Sequence, residues 1–368
     1  MTVHLDPHRI AVLHGGPSSE HDISVWTSSG VLSTLRAAGH TVFAVFVDKG
    51  GLWHFSDGGD SGQVVAAPLT LLQALGHLCE LRVDVAFLGF HGTFGEDGRV
   101  QAILDLAGVT YTGSGVTASA AAMDKPLARR VFVGAGLPVA AAVEVAATDV
   151  ADAAGAASIA ARLVQTLGLP VVVKVPAGGS SVGVEIPRDE AELVAALQRV
   201  GPMVLSDGGT TRHLLCEQYV AGVELTAGVL EHADGSLESL PLVEIAPRTA
   251  VFFDYVAKYK AGATDEIVPA RISDAATAHI RDLGLRAHRA LGCRGVSRTD
   301  VILRHDGAPF LLETNTLPGL TPESLLPKAA AAVGYTYGDL LHRILGAALA
   351  GRAAAMARLP TSAAQQSP

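Results

Sequence analysis

The sequence predicts an α/β and α+β fold, in which a domain with a parallel sheet precedes segments built around antiparallel hairpins. In the first third, apolar strand-like runs at 9–13, 41–47 and 83–90 alternate with helix-like stretches. Strands that are apolar on both faces and separated by helices are typical of a parallel sheet covered on both sides. Further along, apolar runs are joined by short glycine-containing loops, which predicts hairpins.

The sequence pattern changes at about Thr117. After this point, helical stretches rich in alanine appear at 151–167 and 337–358, and a further helix is predicted at 275–291. Between these helices the paired apolar runs are 169–175 with 182–186, 213–220 with 223–230, and 295–303 with 308–315. The 368 residues, at about 150 residues per domain, are enough for two or three domains.

The composition argues against several functional classes. Lys and Arg number 27 and Asp and Glu number 36, a net charge of −9 that disfavours sequence-independent binding of nucleic acid. With 49% hydrophobic and 17% charged residues, wholesale disorder is excluded. The three cysteines are far apart, as expected in a reducing cytoplasm, and the sequence has neither a signal-peptide pattern nor a long apolar run. We therefore expect a cytoplasmic protein without a membrane span.

Two polar loops follow predicted strands of the first domain. HGGPSSEH occupies 14–21 and HGTFGEDG occupies 91–98. Ligands of parallel sheets bind beyond the carboxyl ends of the strands. These loops therefore mark a predicted ligand site.

The segment GVSRTDVILRHDGAPFLLETNT predicts a hairpin with two facing carboxylates. Asp306-Gly307 is a preferred pair for a two-residue turn. Such a turn places Asp300 opposite Glu313 and Arg298 opposite Asn315, all on one face, because side chains alternate along a strand. It also directs Val301, Leu303 and Leu312 to the opposite face, into the core.

Facing carboxylates repel each other unless they share a proton or hold a cation. Two acids and an amide are hard oxygen ligands that suit Mg²⁺, an ion that commonly shares substrate phosphates. The pattern thus predicts a magnesium and nucleotide site. The alternative interpretation is an exposed strand face with scattered charges.

The run AGGSSVGV at 177–184 is a glycine-rich loop between two strands. It can fold over phosphates or simply form a tight hairpin turn. Lys174, in the apolar run VVVKV, and Lys125, before a helix predicted to start at Pro126, can contact a triphosphate or extend to water. The loop at 248–269 contains Phe252, Phe253, Tyr255 and Tyr259, which favours a lid over a loop packed only on itself.

Seven motifs, in this order, resemble those of the D-alanine–D-alanine ligase family of the ATP-grasp superfamily, and they span about 14–330. They are HGGPSSEHDIS, HGTFGEDGRVQAILDLAGVTYTGSG, AMDK, GGSSVGV, FFDYVAKY, SRTDVIL and LLETNTLPGLTPESLLPKAA. The resemblance implies an ATP-grasp fold with a Rossmann-like N-terminal domain at 1–116, a central lid domain at 117–220 and a C-terminal domain at 221–368. Unlike most of the family, this chain has Val175 after Lys174, where proline is usual.

The resemblance implies a role for each matching residue in nucleotide and metal binding. Lys125 and Lys174 would hold the phosphates of ATP, with Ser181 in the loop and Lys258 near the γ-phosphate. Adenine would meet the strand of Glu217, Gln218, Tyr219 and Val220, and the ribose would meet Glu224. Two Mg²⁺ ions, replaceable by Mn²⁺, would be bound by Asp300, Glu313 and Asn315.

The same resemblance implies sites for two D-alanine molecules. Glu20 would receive the ammonium of the first, near His91, while Ser180 and Tyr259 hydrogen-bond with Glu20 and close the site. Arg298 and the N–H of Gly319 would stabilise oxyanions, and Ser324, next to Leu325, would hold the carboxylate of the second. Tyr259 would favour an amine over D-lactate.

The family reaction activates one D-alanine as an acyl phosphate, which the amine of the other attacks. The resemblance also implies a homodimer formed through the N-terminal domain. Two alternatives are another ATP-grasp ligase that joins a different acid to a different amine, and a nucleotide-binding regulatory protein without turnover.

Overall fold

The computed structural model describes residues 5–56, 67–178, 183–206, 212–247 and 264–357. Its first sheet has the order β3-β2-β1-β4. The strands are β1 (Arg9–Gly15), β2 (Thr41–Val47), β3 (Trp53–Phe55) and β4 (Val85–Leu88), and the helices are α1 (His21–Ala37), α2 (Leu71–Leu81) and α3 (Arg99–Leu106).

The predicted parallel sheet is confirmed for β1, β2 and β4, whereas β3 is an antiparallel edge strand that the sequence did not indicate. Both faces of β1 are buried, as its continuous apolar run predicts. Ile10 and Val12 lie in one core, and Ala11 and Leu13 lie in another on the opposite face.

The second sheet has the order β5-β8-β6-β7. One face packs on two helices, with Val171, Val173 and Cys216 in the core, while Val172, Lys174 and Glu217 face a cleft. The strands are β5 (Ala142–Ala146), β6 (Val171–Lys174), β7 (Val184–Glu185) and β8 (His213–Gln218), and the helices are α6 (Ala153–Leu167) and α7 (Glu190–Ser206). A short 3-10 helix (Ala147–Val150) precedes α6.

The third sheet has the order β12-β11-β9-β13-β14, with β10 paired to β9. The strands are β9 (Gly222–Glu231), β10 (Leu237–Ser239), β11 (Val243–Pro247), β12 (Thr264–Ile267), β13 (Val296–Arg304) and β14 (Pro309–Asn315). The helices around it are α4 (Val116–Met123), α5 (Lys125–Gly134), α8 (Asp274–Leu291), α9 (Leu325–Ala331) and α10 (Tyr337–Ala357). Residues of α4 and α5 share a core with β9 and α8, so this part of the chain packs on the third sheet rather than the second.

Two predictions about strands are wrong. The runs at 213–220 and 223–230 do not pair with each other, because β8 pairs with β5 and β6 whereas β9 pairs with β10, β11 and β13. The short segment between them crosses from one sheet to the next. Part of the predicted loop at 248–269 is strand β12, which pairs with β11. Residues 248–263 of that loop, with Phe252, Phe253 and Tyr255, lie outside the described residues.

The hairpin of β13 and β14 has the predicted pairing at the site, but a different turn. The Arg304 N–H donates to the Ala308 carbonyl at 2.9 Å, so the loop has three residues and Gly307 adopts φ +88°. A register irregularity beside Asp300 then restores the pairing of Asp300 with Glu313 and of Arg298 with Asn315.

Leu312 is the residue that this irregularity leaves unpaired. The sequence predicts that Leu312 points into the core, but it lies at the cleft. Leu311 takes the core position instead. Val301 and Leu303 are buried in the core as predicted.

Candidate functional site

A cleft of about 420 Å³ lies between the second and third sheets. Its walls come from strand faces whose opposite sides are buried, so the polar side chains of the alternating strands point into it. The lining includes Lys125, Lys174, Glu217, Gln218, Tyr219, Val220, Glu224, Arg298, Asp300 and Glu313. The nucleotide residues predicted from the sequence and described in the structure are thus brought together.

Asp300 lies at the centre of a hydrogen-bonded cluster. Its Oδ1 accepts from Thr226 Oγ1 at 2.7 Å and from Arg298 Nε at 3.0 Å. Its Oδ2 accepts from Arg298 Nη2 at 3.0 Å and from Asn315 Nδ2 at 3.3 Å. Although burial opposes its charge, the carboxylates of Asp300, Glu313 and Glu96 raise the pKa of Arg298. Arg298 therefore remains a cation in this cluster.

The donor set at this cluster suits a divalent cation. Asp300 and Glu313 offer carboxylate oxygens at the cleft wall, and Asn315, whose side chain contacts Asp300, adds an amide oxygen, the ligand types that Mg²⁺ prefers. Within the described part of the chain, no group of three or more His, Cys, Asp or Glu side chains comes together in a metal-binding arrangement, so Asn315 is needed to complete a set of three.

Both lysines contact carboxylates in this structure. Lys125 Nζ lies 3.2 Å from Glu313 Oε2 and donates to the Gly178 carbonyl at 2.9 Å. Lys174 Nζ pairs with Glu217, whose other oxygen is 2.5 Å from Arg129 Nη1. Lys174 thus meets an anion instead of extending to water. No local pattern in the sequence connects Arg129 to Glu217, so the part of Arg129 in this site is visible only in the fold.

The base of the glycine-rich loop is closed by backbone hydrogen bonds. The Lys125 N–H donates to the Pro176 carbonyl at 3.2 Å, and the Val175 N–H donates to the Gly183 carbonyl at 3.3 Å. A proline at 175 has no N–H, so this chain makes one hydrogen bond that the usual family residue cannot make. Four predicted site residues, Ser180, Ser181, Lys258 and Tyr259, lie outside the described residues.

Glu20 and His91 come together at the carboxyl end of the first sheet. Glu20 directly precedes α1, and Gly92 lies beside its carboxylate, because a Cβ at Gly92 would be 2.6 Å from Glu20 Oε2. His91 Nε2 lies 2.9 Å from Thr27 Oγ1. Burial, only partly offset by Glu20, lowers the pKa of His91. Both residues are buried.

The structure adds Glu96, which the sequence analysis quoted only within its motif. Its Oε2 accepts from the Gly92 N–H at 2.8 Å, and its Oε1 accepts from the Leu317 N–H at 3.3 Å. Removal from bulk water, and next the charge of Glu20, raise the pKa of Glu96 to about 8. Its position between the strand-end loops and the charged cluster could have been suspected from the motif HGTFGEDG.

The turn after β14 places Gly319 against the start of α9. A Cβ at Gly319 would lie 2.9 Å from Ser324 Oγ. Ser324 Oγ accepts from the Thr321 N–H at 3.1 Å, which fixes the hydroxyl at the first turn of the helix. The side chain of Leu325 is buried in the core, so only its backbone can face a ligand there.

Comparisons with known proteins identify the family. The family models described as "D-ala D-ala ligase N-terminus" and "D-ala D-ala ligase C-terminus" match residues 9–114 and 131–346. The chain belongs to the D-Ala–D-Ala ligase family. The resemblance seen in the sequence motifs is thereby confirmed, and so is the ATP-grasp fold.

Relatives in this family match the chain over most of its length. The D-alanine–D-alanine ligase of Anaeromyxobacter sp. (strain Fw109-5) is 42% identical over 342 residues, which are 93% of this chain and 97% of the relative. That of Moorella thermoacetica is 39% identical over 341 residues, 93% and 99% of the two chains.

Two solved structures of the family show the same architecture. The D-alanine–D-alanine ligase of Bacillus anthracis, solved with ATP, is 26% identical with a TM-score of 0.73, covering 95% of this chain and 99% of that one. The VanG D-Ala:D-Ser ligase of Enterococcus faecalis is 25% identical with a TM-score of 0.77, covering 93% and 100%. Among the described helices, none is long and apolar enough to cross a membrane.

Proposed function

We propose that this protein is an ATP-dependent ligase that joins two D-alanine molecules to D-alanyl-D-alanine for peptidoglycan precursor synthesis. One observation carries the proposal: Arg298, which hydrogen-bonds with Asp300 beside Asn315, lies near enough to the buried His91 for its charge to act on that ring, as the charge of Glu20 does. A nucleotide site and an amino-acid site thus share one cation, in a chain that belongs to this family over most of its length.

The cleft residues position the nucleotide. Lys125 and Lys174 bind the phosphates, exchanging part of their contact with Glu313 and Glu217 for phosphate oxygens. Arg129 stays on Glu217 and keeps that carboxylate paired. Glu217 to Val220 meet the adenine, and Glu224 binds the ribose. Ser181 and Lys258 belong to the same phosphate site by their motifs.

Asp300, Glu313 and Asn315 would hold Mg²⁺, or Mn²⁺ in its place, as two ions. When bound, these ions would offset the negative charge of the phosphates during in-line transfer. The chain's own cation at this point is Arg298, which is held by Asp300 and faces the developing oxyanion together with the Gly319 N–H.

The bond changes follow from the two amino-acid sites. Glu20 binds the ammonium of the first D-alanine, whose carboxylate oxygen attacks the γ-phosphorus while the bond to ADP breaks. The free amine of the second D-alanine, held through its carboxylate by Ser324 and the backbone at Leu325, then attacks the acyl carbon, and phosphate leaves with the proton that the amine gives up. Ser180 and Tyr259 close the site and exclude water, which would hydrolyse the acyl phosphate. No protein nucleophile takes part.

Several further features belong to this proposal. They are domain boundaries near 117 and 221, a cytoplasmic location, a homodimer and a preference for an amine over D-lactate. Family membership supports them as properties of related enzymes.

The test is an assay of purified protein with ATP, Mg²⁺ and D-alanine that follows both ADP and dipeptide. D-serine and D-lactate compete in parallel reactions, because VanG, one of the structural neighbours, is a D-Ala:D-Ser ligase. We expect ADP formation that depends on D-alanine, one dipeptide per ADP, and loss of both with excess chelator. ATP binding without turnover, or faster turnover with another amine, would contradict the proposal.

A further inference from the structure

Glu96 links two loops that come from opposite ends of the chain. Its carboxyl group accepts the Gly92 N–H from the loop after β4 and the Leu317 N–H from the turn after β14. The mechanism above gives it no role. Gly92 lies beside Glu20, the residue proposed to bind the first D-alanine. Leu317 lies two residues before Gly319, in the turn that forms the site of the second. Each hydrogen bond of Glu96 therefore holds a backbone segment of one D-alanine site.

Leu317 is a junction between the first and third sheets. Its side chain is buried in the core of the first sheet, beside Phe90 and Tyr111. Its backbone lies beside the ring of His91, close enough to influence the pKa of that ring, and its N–H donates to Glu96 Oε1 at 3.3 Å. The side-chain packing fixes where this turn lies, and the two polar contacts fix its orientation.

We propose that Glu96 is a positioning residue that orients the 315–319 turn, and with it the Gly319 N–H and the site of the second D-alanine. The inference rests on the proposed function, since it concerns the second substrate of that reaction. Glu96 acts through the Leu317 N–H and touches neither substrate.

Glu20 and Glu96 differ in what their oxygens contact. Each oxygen of Glu96 accepts one backbone N–H, from Gly92 and from Leu317, so the ammonium of the first D-alanine is left to Glu20. Glutamine at 96 leaves Glu20 unchanged but can accept only one of the two N–H groups, because its amide nitrogen is a donor.

The experiment compares Glu96→Gln with the wild type in steady-state assays that resolve the KM values for the first and the second D-alanine. We expect the second KM to rise about tenfold with a lower kcat, the size of effect that an unpaired buried N–H produces. The first KM should change less than twofold. Glu80→Gln, an exposed carboxylate on α2, is the control and should retain both wild-type values.

A merely structural Glu96 would give a different result. The melting temperature would fall, but the folded fraction would keep both KM values, or both would rise together, and either outcome overturns the proposal. If Glu96→Gln does not fold, Glu96→Asp replaces it, because a carboxyl shorter by one methylene cannot reach both loops, and the same split is expected. A wild type that makes no dipeptide contradicts the proposed function, whereas a wild-type ligase with an unchanged Glu96→Gln contradicts only this inference.

Discussion

At the scale of single residues, each facing carboxylate of the hairpin has its own cation. Asp300 is held by both nitrogens of one side of Arg298, and Glu313 lies beside Lys125. The repulsion expected from the sequence is thereby offset within the chain. Removing one carboxylate consequently takes the nearest counter-charge from a largely buried cation, so it should lower the stability of the fold and not raise it.

Asp300→Asn should abolish turnover and lower the free energy of unfolding by about 3 kcal/mol, because Arg298 then loses its nearest counter-charge and its two charge-assisted hydrogen bonds. Urea unfolding and the ADP assay measure the two effects. The matched control is Asp306→Asn, since Asp306 makes the same two-residue ion pair with Arg304 at the exposed tip of the same hairpin. The control should keep wild-type activity and nearly the wild-type unfolding midpoint, because exposed ion pairs contribute little. Equal destabilisation by both variants would refute the argument from burial.

The sequence predicts the residues of the site better than their partners. Asp300 opposite Glu313 follows from strand alternation within one hairpin, which is a local rule. Thr226, Arg129 and Glu96 reach their partners across 74, 88 and 221 residues, and no periodicity encodes such contacts. Polar groups of this kind emerge only once the sheets are packed together.

At the scale of elements, the bounds of strongly patterned helices and strands are predicted well, but the pairing partners of the strands are not. β2 has the bounds that its apolar run predicts, and α8 ends at the predicted residue, Leu291. The partners of β8 and β9 were misjudged because a short loop normally joins paired strands, whereas here it crosses between two sheets. The three-residue hairpin loop was misjudged because Asp-Gly suits a two-residue turn equally well.

Two glycine-to-alanine substitutions test the loop assignment. Gly307→Ala should lower the free energy of unfolding by about 1 kcal/mol, because φ +88° is costly for a residue with a Cβ. Gly76→Ala, in the exposed interior of α2, should raise it by about 0.5–1 kcal/mol, because alanine loses less backbone entropy in a helix. Neither added Cβ has a neighbour within 4 Å, so both effects come from the backbone alone. Thermal or urea unfolding measures them, and a stabilising Gly307→Ala would contradict the left-handed backbone at this position of the loop.

At the scale of the whole molecule, one core joins the two ends of the chain. Ile10 and Val12 of the first strand pack with Leu341 and Leu345 of the last described helix, and His40 Nε2 meets His342 Nε2 at 3.0 Å beside them. Alternating hydrophobicity predicts which faces are buried, but it does not say which faces bury each other. The sequence therefore predicts the sheet of the first domain without showing that the C-terminal helix covers it.

Buried histidines in different parts of the molecule should make the fold sensitive to acid. Burial lowers the pKa of His14 and of His288 to about 4. Burial, and to a lesser extent the charge of His342, lowers the pKa of His40. Between pH 6.5 and 4 the unfolded chain binds protons that the folded chain does not, so stability is complete above pH 6.5 and declines as the pH falls.

His14 and His288 should each contribute roughly 3 kcal/mol to this loss by pH 4. Neither ring nitrogen of His14 has a hydrogen-bond partner among the described residues, and its ring packs beside Phe46. His14→Leu should therefore keep stability at pH 7 and flatten the decline, as measured by urea midpoints at pH 7, 5.5 and 4.5. His305→Gln, in the exposed hairpin loop, controls for the loss of a histidine and should decline as steeply as the wild type. If His14→Leu declines equally steeply, protonation of this buried ring is not what weakens the fold in acid.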